Sequence, residues 1–291
     1  MATFQHQRLT PWLLLAPQLV VVGLFFFWPA GQAIYQSLFT QDPFGLASTF
    51  SGLQNFIDVL HDPEYLAAFT VTILFTLSVA VASLCIALLL AVLADRVIKG
   101  SRFYRTLLTW PYAVAPAVAA VLWSFLFDPS LGRISHFLEL VGVHWDHHIN
   151  GGQALALVII ASVWVHVSYN FVFFLAGLQA IPKSLLEAAA IDAAGPWRRF
   201  WTITFPLLSP IMFFLLITNT TYAFFETFGA IDATTAGGPG GATRTLIYKI
   251  YEDGFKGLDV GHSAAQSVLL MILVAALTLV QFRYIERKAH Y

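Results

Sequence analysis

Charge is what this sequence has least of. Asp, Glu, Lys and Arg make up only 11% of its 291 residues, against about 25% in an ordinary soluble domain. Cysteine is nearly missing as well: Cys85 stands alone, so no intramolecular disulfide can form. Its position inside a long apolar run predicts a buried, packing role. A phosphate-binding loop is also absent. "GGPGGAT" has the glycines, but not the Lys-Ser/Thr pair that contacts phosphate and metal. Any ATP-driven step must therefore take place on another chain. No Ser-His-Asp set or pair of carboxylates can be assembled convincingly, which argues against a membrane enzyme. The net charge of −1 gives no reason to expect a nucleic-acid partner.

What is present is apolar length. Six stretches of more than about 20 residues carry no charge: Leu9–Gln41, Tyr65–Ala94, Thr106–Phe127, His147–Pro182, Phe200–Phe225 and Val260–Phe282. Each is long enough for an α-helix to cross a bilayer. Backbone polar groups in lipid must be paired within the segment, so helices are expected rather than open sheets. The reading is an all-α membrane protein with six transmembrane helices at about 12–39, 66–94, 104–127, 154–177, 206–230 and 262–283. It forms one domain surrounded by membrane lipid. The first stretch is longer than the apolar core of a typical signal peptide, so it is read as a retained span. Pro111 and Pro116 are expected to kink or break the first turns of span three.

Orientation follows from where Lys and Arg fall. With six spans, both termini share a side with the second and fourth connections. That side holds Arg8, Arg96, Lys99, Arg102, Arg105, Lys183, Arg198, Arg199, Arg283, Arg287 and Lys288. The other holds only Arg133, Arg244, Lys249 and Lys256. Both termini are accordingly expected in the cytoplasm.

One connection has structure of its own. In residues 178–205, Ser184 and Glu187 have the spacing of a capping box, followed by the strong helix formers Ala188, Ala189 and Ala190. Gly195 suits a C-terminal cap. Pro196 suits the first position of a second short helix, expected to run to about Thr204 before Pro206 opens span five. By physics alone a solvated connector is one reading; its alanine face also allows a close approach by another protein.

Polar residues recur within two spans. Ser162, His166, Tyr169 and Asn170 share one helical face of span four; Asn219, Tyr222 and Glu226 share one face of span five. At 1.5 Å per residue, Asn219 lies ~20 Å beyond Pro206 and Glu226 ~30 Å, near the outer interface. Intramembrane polar groups turn toward a bundle interior or a watery cavity. Each alone is as readily a helix–helix hydrogen bond, but two such faces favour a shared pathway. His136, His144, His147 and His148 with Asp146 lie in an outer loop that carries Pro and Gly. That context is poor for a helix, and no metal site is expected.

"EAAAIDAAGPWRRFWTITFPL" resembles the signature loop of binding-protein-dependent ABC importer permeases: Glu-Ala-Ala, a glycine, then Ile-x-Leu-Pro. Glu187, Ala188, Ala189, Asp192, Ile203 and Pro206 match. Ala193 stands where the family usually has glycine, and Phe205 replaces leucine. "FFFWPAGQAIYQSL", "GSRFYRTLLTWPYAVAPAVAAVLW" and "SAAQSV" extend the similarity over nearly the whole chain. The resemblance implies the type I importer permease fold and an ATPase-coupling role for Glu187, Ala188, Ala189, Asp192 and Gly195. It implies four kinds of partner. These are a second homologous permease, a cytoplasmic ATPase dimer that binds ATP and Mg, a periplasmic substrate-binding protein and the membrane itself. The implied cargo is sn-glycerol 3-phosphate or a related glycerophosphodiester; a sugar or other small polar solute is the alternative, and an ion-coupled secondary carrier the rival class.

That cargo is an anion, yet no Lys or Arg lies inside the spans, and Glu226 repels phosphate. Either Glu226 pairs with a cation of the second permease, or the phosphate is held elsewhere: by that subunit, by hydroxyl and amide donors, or by a broken-helix N-terminus.

Overall fold

A computed structural model describes residues 10–41, 47–95 and 101–285. Arg8, Arg96, Lys99, Arg287 and Lys288 of the charge argument lie outside the described residues. Apart from one hairpin of two three-residue strands, the regular structure is helical. Among the described residues five helices are long and apolar enough to cross a membrane, and a bent pair, taken as one span, brings the number to six. The chain divides into two compact units, 10–62 with 250–272 and 63–249 with 273–285.

In the first unit, α1 (Thr10–Val22), a π-helical turn (Gly23–Phe27) and α2 (Trp28–Gln36) form one span. None of it is buried within the chain, and rings such as Trp12, Phe25 and Phe27 project outward. The π turn has a cause. Pro29 has no N–H and its ring would meet the carbonyl four residues back. Widening the preceding turn, so that Trp28 N–H bonds Gly23 O, makes room for it. Strands β1 (Phe39–Gln41) and β2 (Ser48–Phe50) pair antiparallel with Phe39 opposite Phe50. Buried Asn55, on α3 (Gln54–His61), donates to Ser37 O at 2.9 Å and Phe39 O at 3.0 Å, tying the hairpin down.

The second unit is built on α4 (Pro63–Asp95). Its buried side carries Tyr65, Phe75 and Val79 in the first half and small residues, Ala80, Ser83, Ala87, Ala91 and Ala94, along the rest, and α8 packs against this helix. Cys85 is exposed on the opposite side of α4, which corrects the buried role expected for it. Span three is not a single helix. After α5 (Ser101–Thr109) a 3-10 turn runs over Trp110–Ala113, and α6 (Pro116–Leu126) leaves at 103° to the helix before it. Pro111 and Pro116 cannot donate to the ladder, so the break falls between them. The outer segment then forms α7 (Arg133–Leu140).

Helix α8 (Gly151–Ala180) starts where the Asn150 side chain accepts from the amides of Gly152 and Gln153. It stops before Pro182. Gly177 lies where α11 crosses, and a methyl group there would displace the tips of the Ile211 and Leu208 side chains. Two short helices, α9 (Lys183–Ile191) and α10 (Pro196–Arg199), fill the connection. The expected break at Pro206 is not there. A π turn at Phe200–Thr204 leads directly into α11 (Phe205–Phe225), so Pro196–Phe225 is one 30-residue helix. The device is that of Pro29: Phe205 N–H reaches back to Phe200 O, and the proline ring fits the widened turn. The span ends at Phe225, earlier than expected, and α12 (Phe228–Thr234) turns away. Helix α13 (Leu246–Tyr251) begins with Leu246 N–H on Thr72 Oγ1 at 2.8 Å. A third π turn (Glu252–Lys256) precedes the last span, α14 (Val260–Ile285).

Candidate functional site: a cytoplasmic loop and an intramembrane cavity

The sequence-derived residues gather at two places. The first is the α9–α10 loop. Its capping box does not form: Pro182 is the residue before the helix, Ser184 is already inside it, and no side chain caps the end. With Pro182 at the cap position, φ −59°, the helix starts two residues earlier than a Ser184 cap implies. Glu187, Ala188 and Asp192 are exposed, and Ala189 is half-buried. The bend lies at Ala193 rather than Gly195. Ala193 adopts φ +56°, Ala194 N–H bonds Ala189 O at 3.0 Å and Ala193 N–H bonds Ala190 O at 3.1 Å. That is the paired arrangement that closes a helix on a left-handed residue. Gly195, at φ −64° and ψ 163°, instead precedes α10. Leu185, Ile191 and Trp197 are exposed on the same loop, Ile191 at 87%. Sequence reading passed over them, because single apolar residues in an apolar chain give no contrast.

The second place is a cavity of about 600 Å³ at the break in span three. Tyr112 and Pro116 bound it from the break, His166 and Tyr169 from α8, and Thr218, Thr221, Tyr222 and Glu226 along α11. The rings are in mutual contact: His166 lies 4.1 Å from Tyr222 and 5.5 Å from Tyr169, and Tyr169 lies 5.5 Å from Tyr112. His166 is buried, and its Nε2 has no hydrogen-bond partner. None of the described residues lining the cavity is Lys or Arg.

The two polar faces are thus divided. His166, Tyr169, Tyr222 and Glu226 line the cavity, while Asn170 and Asn219 face each other. Their amides exchange bonds of 3.1 and 2.9 Å in full burial, and Asn219 Nδ2 also reaches Leu215 O at 2.6 Å. Ser162 is buried one turn from His166 and does not line the cavity. Tyr112, Thr218 and Thr221 went unnoticed. Thr218 and Tyr222 are four apart, a detectable spacing, but Tyr112 comes in only through the break.

On the opposite end of the unit, Glu64 takes Arg244 at 2.9 Å and buried Lys249 at 3.6 Å. The histidine loop is irregular over 143–146, so His144 and His148 do not share a helix. His147 is buried, with Nε2 3.3 Å from Ser124 Oγ and its ring 4.1 Å from that of His148. Among the described residues no group of three His, Cys, Asp or Glu is placed to hold a metal ion.

Apolar crossings, a broken third span and a helical loop between the fourth and fifth define a multi-pass membrane permease. The chain belongs to the binding-protein-dependent transport system inner membrane components, whose family model matches residues 99–291. It is a transport subunit of the inner membrane rather than an enzyme. Its curated relatives include the sn-glycerol-3-phosphate transport system permease protein UgpA of Brucella abortus biovar 1 (strain 9-941), 58% identical over 98% of this chain and 97% of that one. UgpA of Yersinia pseudotuberculosis serotype I (strain IP32953) is 59% identical over 97% of this chain and 96% of its own. A chain of a bacterial ABC transporter involved in import of the acidic polysaccharide alginate has the same fold. Its TM-score is 0.80 at 19% identity, covering 95% of this chain and 96% of that one.

Proposed function

We propose that this chain is a permease subunit of an ATP-driven importer for sn-glycerol 3-phosphate or related glycerophosphodiesters, working by alternating access. The observation that carries the cargo is the 58% identity, over 98% of the chain, to permeases named for that compound. Both termini and the α9–α10 loop face the cytoplasm, where Lys and Arg concentrate. The loop docks into an ATPase dimer that binds ATP and Mg, with Glu187, Ala188, Ala189 and Asp192 on the contact. A second homologous permease completes the pathway, and a periplasmic binding protein delivers the cargo. ATP binding draws the loops of the two permeases together and turns the cavity outward; hydrolysis resets it inward.

The cavity at the broken span is this chain's part of the route, with His166, Tyr169, Tyr222 and Glu226 along it. Asn170 and Asn219 act one step back, by holding α8 against α11. Uptake of labelled sn-glycerol 3-phosphate by the reassembled importer tests the route. Tyr169→Ala is expected to lower uptake at least several-fold with assembly intact. Unchanged uptake removes this face from the pathway.

A further inference from the structure

The cavity has an unusual chemistry for a route that carries a phosphate. Its polar lining residues are Tyr112, Tyr169, Thr218, Thr221 and Glu226, with Tyr222 and His166 contributing ring surface while the Tyr222 hydroxyl and His166 Nε2 are buried. Glu226 is exposed there and has no cationic partner among the described residues. A carboxylate in a site walled by low-dielectric side chains repels a phosphate more strongly than it does in water. The same carboxylate is a strong acceptor with two oxygens, suited to two donors at once. Adjacent hydroxyls on neighbouring carbons present such a pair. Ring faces of Tyr169 and Tyr222 supply apolar surface for the C–H groups between hydroxyls, and phenol and threonine hydroxyls donate or accept as needed.

We infer that this cavity is a hydroxyl-reading subsite that takes the glyceryl end of the cargo, with the vicinal hydroxyls donating to Glu226, and leaves the phosphate to groups outside its lining. The inference rests on the cavity being the route proposed above. It makes Glu226 a specificity-determining residue: its charge, a liability toward the anionic end, is what recognises the uncharged end. It also orients the cargo, because the phosphate is driven away from Glu226 as the hydroxyls are drawn toward it.

The test compares two cargos of equal charge, sn-glycerol 3-phosphate and n-propyl phosphate, which lacks both hydroxyls. Ligand-detected NMR titration is run on the permease–ATPase complex without the delivering protein, so delivery does not enter. The wild type is expected to prefer the hydroxylated cargo. Glu226→Ala is expected to reduce that preference roughly tenfold, the scale of a hydrogen bond to a charged group. Glu226→Gln, which keeps the shape and one acceptor, is expected to fall between. An equal change in affinity for both cargos, in either direction, overturns the subsite but leaves the route standing. No change for either cargo in Glu226→Ala likewise overturns the subsite alone, whereas no binding of either cargo by the wild type overturns both.

Discussion

At the scale of single residues, the Asn170–Asn219 pair shows how a polar group can sit inside a bilayer without being a ligand site. Each amide satisfies the other, at 3.1 and 2.9 Å, and both are fully buried. Truncating one leaves its partner unsatisfied, whereas removing both leaves only apolar contacts. Asn219→Ala is therefore expected to cost about 1 kcal/mol, the order measured for hydrogen bonds between membrane helices. Asn170→Ala with Asn219→Ala together is expected to cost less than the sum of the two single changes. Thermal unfolding of the purified chain in nanodiscs completes the cycle; a strictly additive result sinks the pair as a unit. The periodicity that put Asn170 on a face with His166 was visible in the sequence. Its partner was not, because pairing depends on how α8 and α11 cross.

At the scale of elements, the cytoplasmic loop closes on an alanine in a left-handed conformation, at a cost of about 1–2 kcal/mol. Ala193→Gly is expected to raise stability by a few tenths to about 1 kcal/mol, the relief being partly offset by glycine's freedom in the unfolded chain. Gly195→Ala is expected to be tolerated, since nothing lies within 4 Å of the added methyl and its φ is −64°. A loss of stability in the first variant, or of uptake in the second, moves the bend back to Gly195. The loop's existence and helicity were legible from its alanines and flanking prolines. Its caps were not, because Pro182 and the Ala193 turn each shifted a boundary that side-chain spacing alone could not assign. Pro206 misleads because the widened turn before it lets the helix continue where the sequence reading opened a new span; the same device carries the first span past Pro29, as expected from its length.

The outer loop carries a second element-scale prediction. Burial is the main cause holding the His147 pKa below its usual 6.5, and the neighbouring His148 adds to it. Opening the loop restores the ordinary value, so the open form takes up a proton first as pH falls through 6.5. The protection of amides around His147, corrected for the intrinsic pH dependence of exchange, is expected to fall between pH 7.5 and 5, and His147→Gln to flatten that dependence. Asp128 serves as an internal reference. Bonds from the Ser130 hydroxyl and the Leu131 and Ser130 amides lower its carboxyl to about 2, so its turn persists throughout that range. Equal protection at both pH values argues against His147 as the sensitive group.

At the scale of the whole molecule, the count of crossings was legible because charge is so sparse that every apolar run is bounded. The cavity was not, since it exists only where span three breaks between Pro111 and Pro116. If the α9–α10 loop is the docking element, Glu187→Lys is expected to reduce ATPase recovered with the affinity-purified chain by at least tenfold while the spans insert normally. Mass spectrometry of the purified complex reads this, and full recovery removes Glu187 from the contact.

The uninterrupted helix Pro196–Phe225 has a mechanical consequence. From Pro196 to Tyr222 it forms a lever arm of about 40 Å. Pivoted at its cytoplasmic end, a tilt of about 10° carries Tyr222 through roughly 7 Å, comparable with the width of a small solute. If the α9–α10 loop is the docking element, a small displacement there is amplified along this helix, and the cavity opens without a loop to relay it.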